Sequence, residues 1–437
     1  MFFIDELLKA THGKLLNGDP EQKVNSISTN TRNIKKGDAF LALKGPKFDG
    51  HIFLDKAIKK GAAALIVSKH FHTKKAAVIK VKNTLKALQN IAGYHRMKFN
   101  IPVIAITGSA GKTTTKDMIS SVLSQKLKTL KTKENLNNEI GVPITLLQLN
   151  KKHRAAVVEM GMQKEGEIKE LAEIARPTIA VITNIGEAHL KYFKNKKEIA
   201  KTKAGIFSFL KPGNTAILPE DDKYFKYLKE FVPKGIKMKT FGRNDINLPS
   251  PHRRGTNLLK DNITTKIRVR PPGNHNLLNA LIAVKIAKIL NIKKSSVIKG
   301  LKRFKPSSKR MEIIKRKDGV TIINDTYNAN PSSMKAILYM LAAEKAKRKI
   351  AILGDMLELG KESKKLHLSI GRLAKKLKID LLVTVGKLSK NMKGNYHFTS
   401  NKKVIEFATK TLKKGDLLLV KGSRAMKLEE VVEVLRA

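Results

Sequence analysis

The stretch Ile101–Asp117, reading IPVIAITGSAGKTTTKD, leaves the chain little freedom in what it can fold into. Pro102 opens a short β-branched run, Val103 to Ile106, with the length and composition of a buried parallel strand. Thr107, Gly108, Ser109, Ala110 and Gly111 then turn the chain, and Lys112, Thr113 and Thr114 begin a helix. Together these make an anion cradle. Glycines let backbone N–H groups converge, the helix N-terminus adds positive potential, Lys112 reaches the outer phosphates, and the Thr113 hydroxyl can hold magnesium. The loop is a shortened P-loop, because Ile106 stands where a glycine usually lies five residues before Gly111. Strand, Gly-Lys-Thr and helix coincide, so the stretch reads as a nucleoside triphosphate site rather than an ordinary glycine turn.

A chain of 437 residues exceeds one compact core. Linker-like breaks at 99–102 and 303–311 divide it into three expected domains, 1–100, 101–306 and 307–437. The absence of cysteine excludes disulfides and fits a reducing cytoplasm. No apolar run reaches membrane-spanning length, and MFFIDELLKA lacks the basic start of a signal peptide, so a cytoplasmic protein without membrane insertion is expected. The net charge of +52 would suit a nucleic-acid binder. It is carried by lysines spread in pairs such as Lys59-Lys60, Lys151-Lys152 and Lys293-Lys294, with no Trp to stack on bases. That pattern reads as compositional drift with non-specific anion binding, and no specific nucleic-acid partner is expected.

In the first hundred residues, 2–10 read as an amphipathic helix with Phe3, Leu7 and Leu8 on one face. Val24–Arg32 reads as a strand ending in hydroxyls and Arg32. Ala39–Leu43 is a strand leaving through Lys44-Gly45 to a turn at Asp49-Gly50-His51. Hydroxyls, Arg32 and Lys44 at strand ends could hold a diphosphate, though such loops are also ordinary solvated turns. Asn83 caps a helix running to about Lys98. From Ile101 strands alternate with helices, as in an open parallel sheet. Asn137, Asn138 and Glu139 precede a helix, as caps or as substrate contacts. The strand Arg154–Met160 delivers Glu159 where a carboxylate can meet a magnesium ion on nucleotide phosphates. The strand Thr178–Ile185 delivers His189, which reads equally as structural or as a second group for the same crevice. Lys203 lies in a helix over Ile199–Phe207, and spacing alone does not single it out. After Gly273, a helix presents His275, Asn276 and Asn279, where capping and ligand binding stay equally open. Beyond the second linker, strands at Val320–Ile323, Lys349–Leu353, Leu381–Val385 and Asp416–Val420 predict a small doubly wound domain. Asn324-Asp325-Thr326-Tyr327 and Asn328-Ala329-Asn330-Pro331 follow the first of them. The expected fold class is α/β in three domains: a central P-loop-type, mostly parallel sheet between an N-terminal α/β domain and a C-terminal Rossmann-like one.

TGSAGKTTTKD, NNEIGVP (Asn137–Pro143), EMGM (Glu159–Met162), NIGEAHL (Asn184–Leu190) and GNHNLLNAL resemble, in order and along the whole chain, the motifs of the Mur ligases of peptidoglycan precursor synthesis. DTYNANPSSM (Asp325–Met334), LGDMLELG (Leu353–Gly360) and KGSRAM (Lys421–Met426) resemble the subgroup that adds D-alanyl-D-alanine. The resemblance implies an ATP-dependent amide ligase acting on UDP-N-acetylmuramoyl-tripeptide and D-alanyl-D-alanine through an acyl phosphate. It implies that Lys112 and the loop from Thr107 to Thr114 hold ATP. Thr113 and Glu159 would hold one magnesium ion, and His189 with a carbamylated Lys203 a second. Asn276, Asn279, Arg310 and Asp325 become nucleotide contacts. Thr31, Arg32, Lys44, Gly45, Asp49 and His51 become uridine diphosphate contacts, and Asn137, Asn138, Glu139, Tyr327, Asn328 and Asn330 contacts to the rest of the substrates. A monomer is expected. The chain departs from the family pattern at Asn30, where an acid usually precedes the hydroxyl and arginine, and at Gly205, where a glutamate commonly follows the carbamylated lysine by two residues. The competing expectations are a related ligase adding a single amino acid, as a folylpolyglutamate synthetase-like enzyme does, and a non-catalytic P-loop protein that binds nucleic acid.

Overall fold

Alternation along Val103–Thr107 (β1) sorts side chains to the two faces of a central sheet. Val103 and Ala105 pack with Ala156, Val158 and Ile182 on one face, and Ile104 and Ile106 with Met118, Ile119 and Val122 on the other. The computed structural model of the chain describes residues 1–45, 48–188, 190–247, 258–259 and 274–436. Seven elements frame the site: β1, the helix Lys112–Leu123 (α1), the strands Ala155–Glu159 (β2) and Ile179–Ile182 (β3), and the helices Lys196–Ala204 (α2), Asn274–Ile289 (α3) and Pro331–Ala343 (α4).

The central sheet has six strands in the order Thr129–Lys131, β2, β1, β3, Thr215–Pro219, Lys237–Phe241, and all its pairings are parallel. The chain runs from β1 to one edge, returns through β2, and crosses to β3 on the other side. A crevice therefore opens beyond the carboxyl ends of β1, β2 and β3, where such sheets bind ligands. In register, Ile106 lies opposite Glu159 and Thr107 opposite Ile182, so the loop after β1 starts level with the Glu159 carboxylate. Leu277, Ala280–Val284, Ile286 and Ala287 of α3 are fully buried against α1 and the sheet.

A five-stranded sheet precedes the central one, ordered Lys14–Asn17, Ala77–Lys80, Ala64–Val67, Ala39–Leu41, Ile27–Ser28, with only the first pairing antiparallel. Its helix Thr84–Met97, capped by Asn83, carries Arg96 into the junction with the central domain. The Arg96 guanidinium, 5% exposed, donates to the carbonyls of Ala175 (3.0 Å), Arg176 (3.2 Å) and Phe99 (2.6 Å), and His95 Nε2 is 2.9 Å from the Leu149 carbonyl. The C-terminal sheet is ordered Glu312–Lys315, Thr321–Asn324, Asp416–Lys421, Arg348–Gly354, Leu381–Val385, Tyr396–Phe398, parallel except at its first strand.

Three sequence expectations change. The run Val24–Arg32 is not one strand, since only Lys23–Val24 and Ile27–Ser28 pair there, and Thr31 and Arg32 follow in a turn. The C-terminal sheet has six strands, not four, because Glu312–Lys315 and Tyr396–Phe398 add edges too short and polar to stand out. At the N-terminus, Phe2–Phe3 is a strand paired with Lys23–Val24, and the helix runs Ile4–Thr11. Its buried side is Ile4, Leu7 and Ala10 beside Phe2, which leaves Phe3 40% exposed.

Candidate active site

The glycine loop is built on the strand beside it. Gly108, at φ 153°, lies so close to β3 that a Cβ there would fall 1.8 Å from Thr183 Oγ1, so the position admits only glycine. Asn184, just past β3, accepts the Ala110 N–H on Oδ1 (3.0 Å) and donates Nδ2 to the Ala110 carbonyl (3.0 Å), while its own carbonyl takes the Ser109 N–H (3.0 Å). Thr183 Oγ1 donates to the Ala110 carbonyl, and Ser109 Oγ accepts from the Gly186 N–H (2.8 Å). The Ser109 and Ala110 amides are thus committed to the protein. The cradle for an anion is the start of α1 itself, where the first internal bond runs from Thr115 N–H to the Gly111 carbonyl (2.9 Å). Thr107, at the buried end of β1, donates its hydroxyl to the Met160 carbonyl.

Two lysines meet at one carbonyl. Lys112 Nζ donates to Gly108 O at 2.8 Å, and Lys203 Nζ, from α2, donates to the same oxygen at 3.1 Å. Lys203 is 1% exposed; burial first, and then Lys112, push its amine well below the ordinary lysine value. Burial also lowers Lys112, against the pull of Glu159 and with the push of Arg310. Glu159, 2% exposed, accepts Asn137 Nδ2 on Oε1 (2.9 Å), and its N–H donates to Thr132 Oγ1 (3.0 Å). Its Oε2 is buried without a hydrogen-bond partner, 3.9 Å from the buried Lys116 ammonium. Gly205, which stands where the family commonly has a glutamate, sits against the helix Glu167–Ala175. A Cβ there would come within 3.1 Å of Lys169 N, so the departure lets that helix pack close to α2.

The C-terminal domain closes over this crevice, leaving a cavity of about 1200 Å³. Ser109 to Thr114, Asn137, Asn138, Glu139 and Glu159 line it from the central domain, with Asn276 and Asn279 from α3. Arg310, Asp325, Tyr327, Asn328 and Asn330 line it from beyond the second linker. Asn279 Oδ1 accepts the Thr115 hydroxyl (3.1 Å), which locks α3 to α1. The Arg310 guanidinium lies 3.8 Å from the Tyr327 ring centre, and its Nε is buried without a partner. Asp325 takes the Lys421 ammonium at 2.5 Å, and Asn328 gives that ammonium its carbonyl (2.8 Å). Asn330 donates Nδ2 to the Ser109 carbonyl (3.1 Å), a bond from one domain to the loop of another. Asn138 closes the turn before the helix Gly141–Leu146, accepting the Gly141 N–H on Oδ1 (2.9 Å). His189 lies outside the described residues.

The first-domain residues do not line this cavity. Arg32, Lys44 and Gly45 are exposed and Thr31 is buried. Asp49 and His51 are spent on each other (2.5 Å). Lys69 pairs with the second Asp49 oxygen (2.7 Å), and His51 Nε2 accepts the Ser68 N–H (3.0 Å). Asn30 Oδ1 accepts the Arg32 N–H (2.9 Å), a bond an acid would make equally well.

Family models match nearly the whole length: "Mur ligase family, catalytic domain" at residues 23–96, "Mur ligase middle domain" at 106–287, and "Mur ligase, glutamate ligase domain" at 309–424. The chain belongs to the Mur ligase family. It is 36% identical, over 99% of its length and 98% of the relative's, to the UDP-N-acetylmuramoyl-tripeptide–D-alanyl-D-alanine ligase of Bacillus subtilis (strain 168). A crystal structure of MurF from Acinetobacter baumannii superposes with a TM-score of 0.92 at 32% identity, covering 100% of this chain and 98% of that one. MurF ligase from Thermotoga maritima, solved in complex with ADP, gives 0.85 at 28% identity over 95% and 97%. For a Mur ligase the sequence missed three supports of the site: Asn184, which shapes the loop; Lys116, which faces Glu159; and Lys421, which holds Asp325. Asn184 carried a signal, since it stands at the carboxyl end of a strand beside the P-loop strand. Among the described residues no three His, Asp or Glu side chains form a metal cage. The orphaned Glu159 oxygen beside the start of α1 instead fits magnesium, which takes one or two carboxylates and otherwise phosphates and water. No helix among the described residues is long and apolar enough to cross a membrane.

Proposed function

We propose that this Mur ligase joins D-alanyl-D-alanine to the terminal carboxylate of UDP-N-acetylmuramoyl-tripeptide, converting ATP to ADP and phosphate. One observation carries the reading. Lys112, the Glu159 carboxylate with one oxygen lacking a hydrogen bond, and the charged groups of the C-terminal domain converge on one cavity, in a chain similar along its length to ligases of that name.

A carboxylate is a poor electrophile, so the reaction proceeds in two steps. The tripeptide carboxylate attacks the γ-phosphorus of ATP and ADP departs, giving an acyl phosphate. The free amine of the dipeptide then adds to the acyl carbon, and the tetrahedral intermediate expels phosphate. The first step brings two anions together, so positioning and positive charge dominate it. Lys112 and the N–H groups at the start of α1 hold the β- and γ-phosphates, and Arg310 approaches from the facing domain. Asn276, Asn279 and Asp325 hold the rest of the nucleotide. Asn137 keeps the Glu159 carboxylate aimed at the phosphates. Thr113 and Glu159 would hold one magnesium ion, and His189 with Lys203 a second, and ions held there would supply positive charge against the phosphates. A neutral Lys203 amine can take up carbon dioxide with loss of a proton, and its buried place beside Lys112 favours that neutral form. Arg32 and Lys44 are the cations offered to the uridine diphosphate, with Thr31 and Gly45 beside them. Glu139, Tyr327 and Asn328 line the path of the peptide and the incoming amine.

The test is phosphate release from ATP and magnesium with both acceptors, omitting each in turn, with the product weighed by mass spectrometry. Release that needs both acceptors and yields a pentapeptide supports the reading. Turnover with single amino acids in place of the dipeptide would replace it with the related-ligase reading, and no turnover with any combination would overturn it.

A further inference from the structure

Asp117 lies on α1 five residues beyond Lys112, 5% exposed and away from the phosphate cradle. Its Oδ1 pairs with Lys131 Nζ at 2.7 Å and lies 3.5 Å from Lys116 Nζ. Burial opposes its charge, but Lys116, Lys131 and Ser307 outweigh this and hold the carboxyl below the usual range. Its Oδ2 accepts the hydroxyl of Ser307 at 2.5 Å. Ser307 belongs to the connection between the helix Lys294–Arg303 and the strand Glu312–Lys315, and its carbonyl accepts the Arg310 N–H at 3.2 Å. Just before Arg310 the Lys309 carbonyl accepts the Tyr327 N–H (3.0 Å), and just after it the Met311 N–H donates to Asp325 Oδ1 (3.1 Å). The turn that carries Arg310 is therefore anchored at both ends, once to the C-terminal sheet and once to the P-loop helix.

We propose that Asp117 is a positioning residue for Arg310. Through Ser307 it ties the interdomain linker to α1 and fixes the guanidinium opposite Lys112, at the phosphates of a bound nucleoside triphosphate. The proposal rests on the reading of the cavity as an ATP site. Its geometry is specific: the anchor grips the same helix whose first turn cradles the phosphates, so Lys112 and Arg310 share one rigid reference. A hydrogen bond to a buried carboxylate is stronger than a neutral one, which suits a link across a domain boundary.

The experiment measures ADP and ATP affinity calorimetrically on the full chain, with melting temperature as a control. Ser307→Ala removes the hydroxyl and almost no volume, and should weaken nucleotide binding roughly tenfold with little change in melting; Ser307→Thr should restore most of it. The deciding comparison is the double-mutant cycle with Arg310→Ala. If Asp117 and Ser307 act through Arg310, Ser307→Ala has no further effect once Arg310 is gone. Full affinity in Ser307→Ala, or losses that multiply in the double variant, would overturn the proposal. Asp117→Asn also disturbs the ion pairs with Lys116 and Lys131, so Ser307 is the cleaner variant. Failure of the wild-type chain to bind either nucleotide would instead sink the reading of the cavity, which separates the two failures.

Discussion

Asn330 performs two tasks that substitution can separate. Its Oδ1 accepts the Ser333 N–H (2.8 Å) and its own N–H is taken by Ser333 Oγ (3.1 Å), which makes it the N-cap of α4. Its Nδ2 donates across the domain boundary to the Ser109 carbonyl (3.1 Å). Asn330→Asp keeps the cap, since aspartate ranks with asparagine there and suits the helix dipole. It removes the donor, however, and sets a carboxylate against a carbonyl. The lost bond is worth about 1 kcal/mol and the uncompensated oxygen pair about as much again, so the closed arrangement loses about 2 kcal/mol. If closure precedes chemistry, kcat/KM should fall roughly thirtyfold, while the melting temperature holds. Asn330→Ser keeps a cap and loses the donor without adding charge, and should cost roughly fivefold. Asn330→Ala loses the cap as well, about 1 kcal/mol, and should also melt earlier. Phosphate release at sub-saturating ATP, alongside thermal melting, reads both quantities. Wild-type kcat/KM in Asn330→Asp would refute the reasoning, because the bond to the loop would then contribute nothing to turnover.

Three further outcomes are expected. Lys203→Ala should lose most ligase activity, with partial rescue by short carboxylates supplied in solution; full activity in the alanine variant would remove the carbamate role. His367 is fully buried, with Nδ1 on the Ser363 carbonyl (2.7 Å) and Nε2 accepting the Met356 N–H (3.0 Å), and burial holds it below its ordinary 6.5. The folded state thus binds its proton less well than the unfolded chain, so this stability is complete above pH 6.5 and declines as pH falls towards the depressed folded value. His367→Gln should flatten the fall in melting temperature on acidification without abolishing it, because burial depresses His95 and His275 in the same direction. Arg96→Met should cost about 3 kcal/mol by leaving buried carbonyls without donors, read as a lower urea midpoint; an unchanged midpoint would show that the junction does not need the guanidinium.

Local chemistry was legible in the sequence, and long-range partnership was not. The strand, loop and helix around Lys112 announce themselves because glycine, lysine and hydroxyl stand in consecutive positions. Glu159 is legible because a β-branched run ends on it. Lys203 is opaque because helical spacing cannot tell a buried lysine from a solvated one; its place at Gly108 depends on a contact 95 residues away. The Asn330 bond to Ser109 spans 221 residues and the Ser307 bond to Asp117 spans 190, and neither leaves a trace in periodicity. Asn137 and Asn138 show the ambiguity of clustered amides, since both line the cavity while one holds the Glu159 carboxylate and its neighbour closes a turn. The strands Glu312–Lys315 and Tyr396–Phe398 escaped because edge strands need little apolar alternation.

The two domain boundaries differ in mechanical character. Where Arg96 threads the carbonyls of the central domain, a charged side chain is sealed in, and pulling that joint apart would strand its donors away from partners. Where α4 meets the glycine loop, the ties among the described residues include ones that water can replace: one amide on a carbonyl, Lys335 3.9 Å from Glu187, and nearby the Lys191 N–H on the Glu358 carbonyl. The first joint behaves as a weld and the second as a door. If the domains part during turnover, a small molecule wedged beside Ser109 and Asn330 would act on the joint that gives way first, whereas one aimed at the weld must first break the fold.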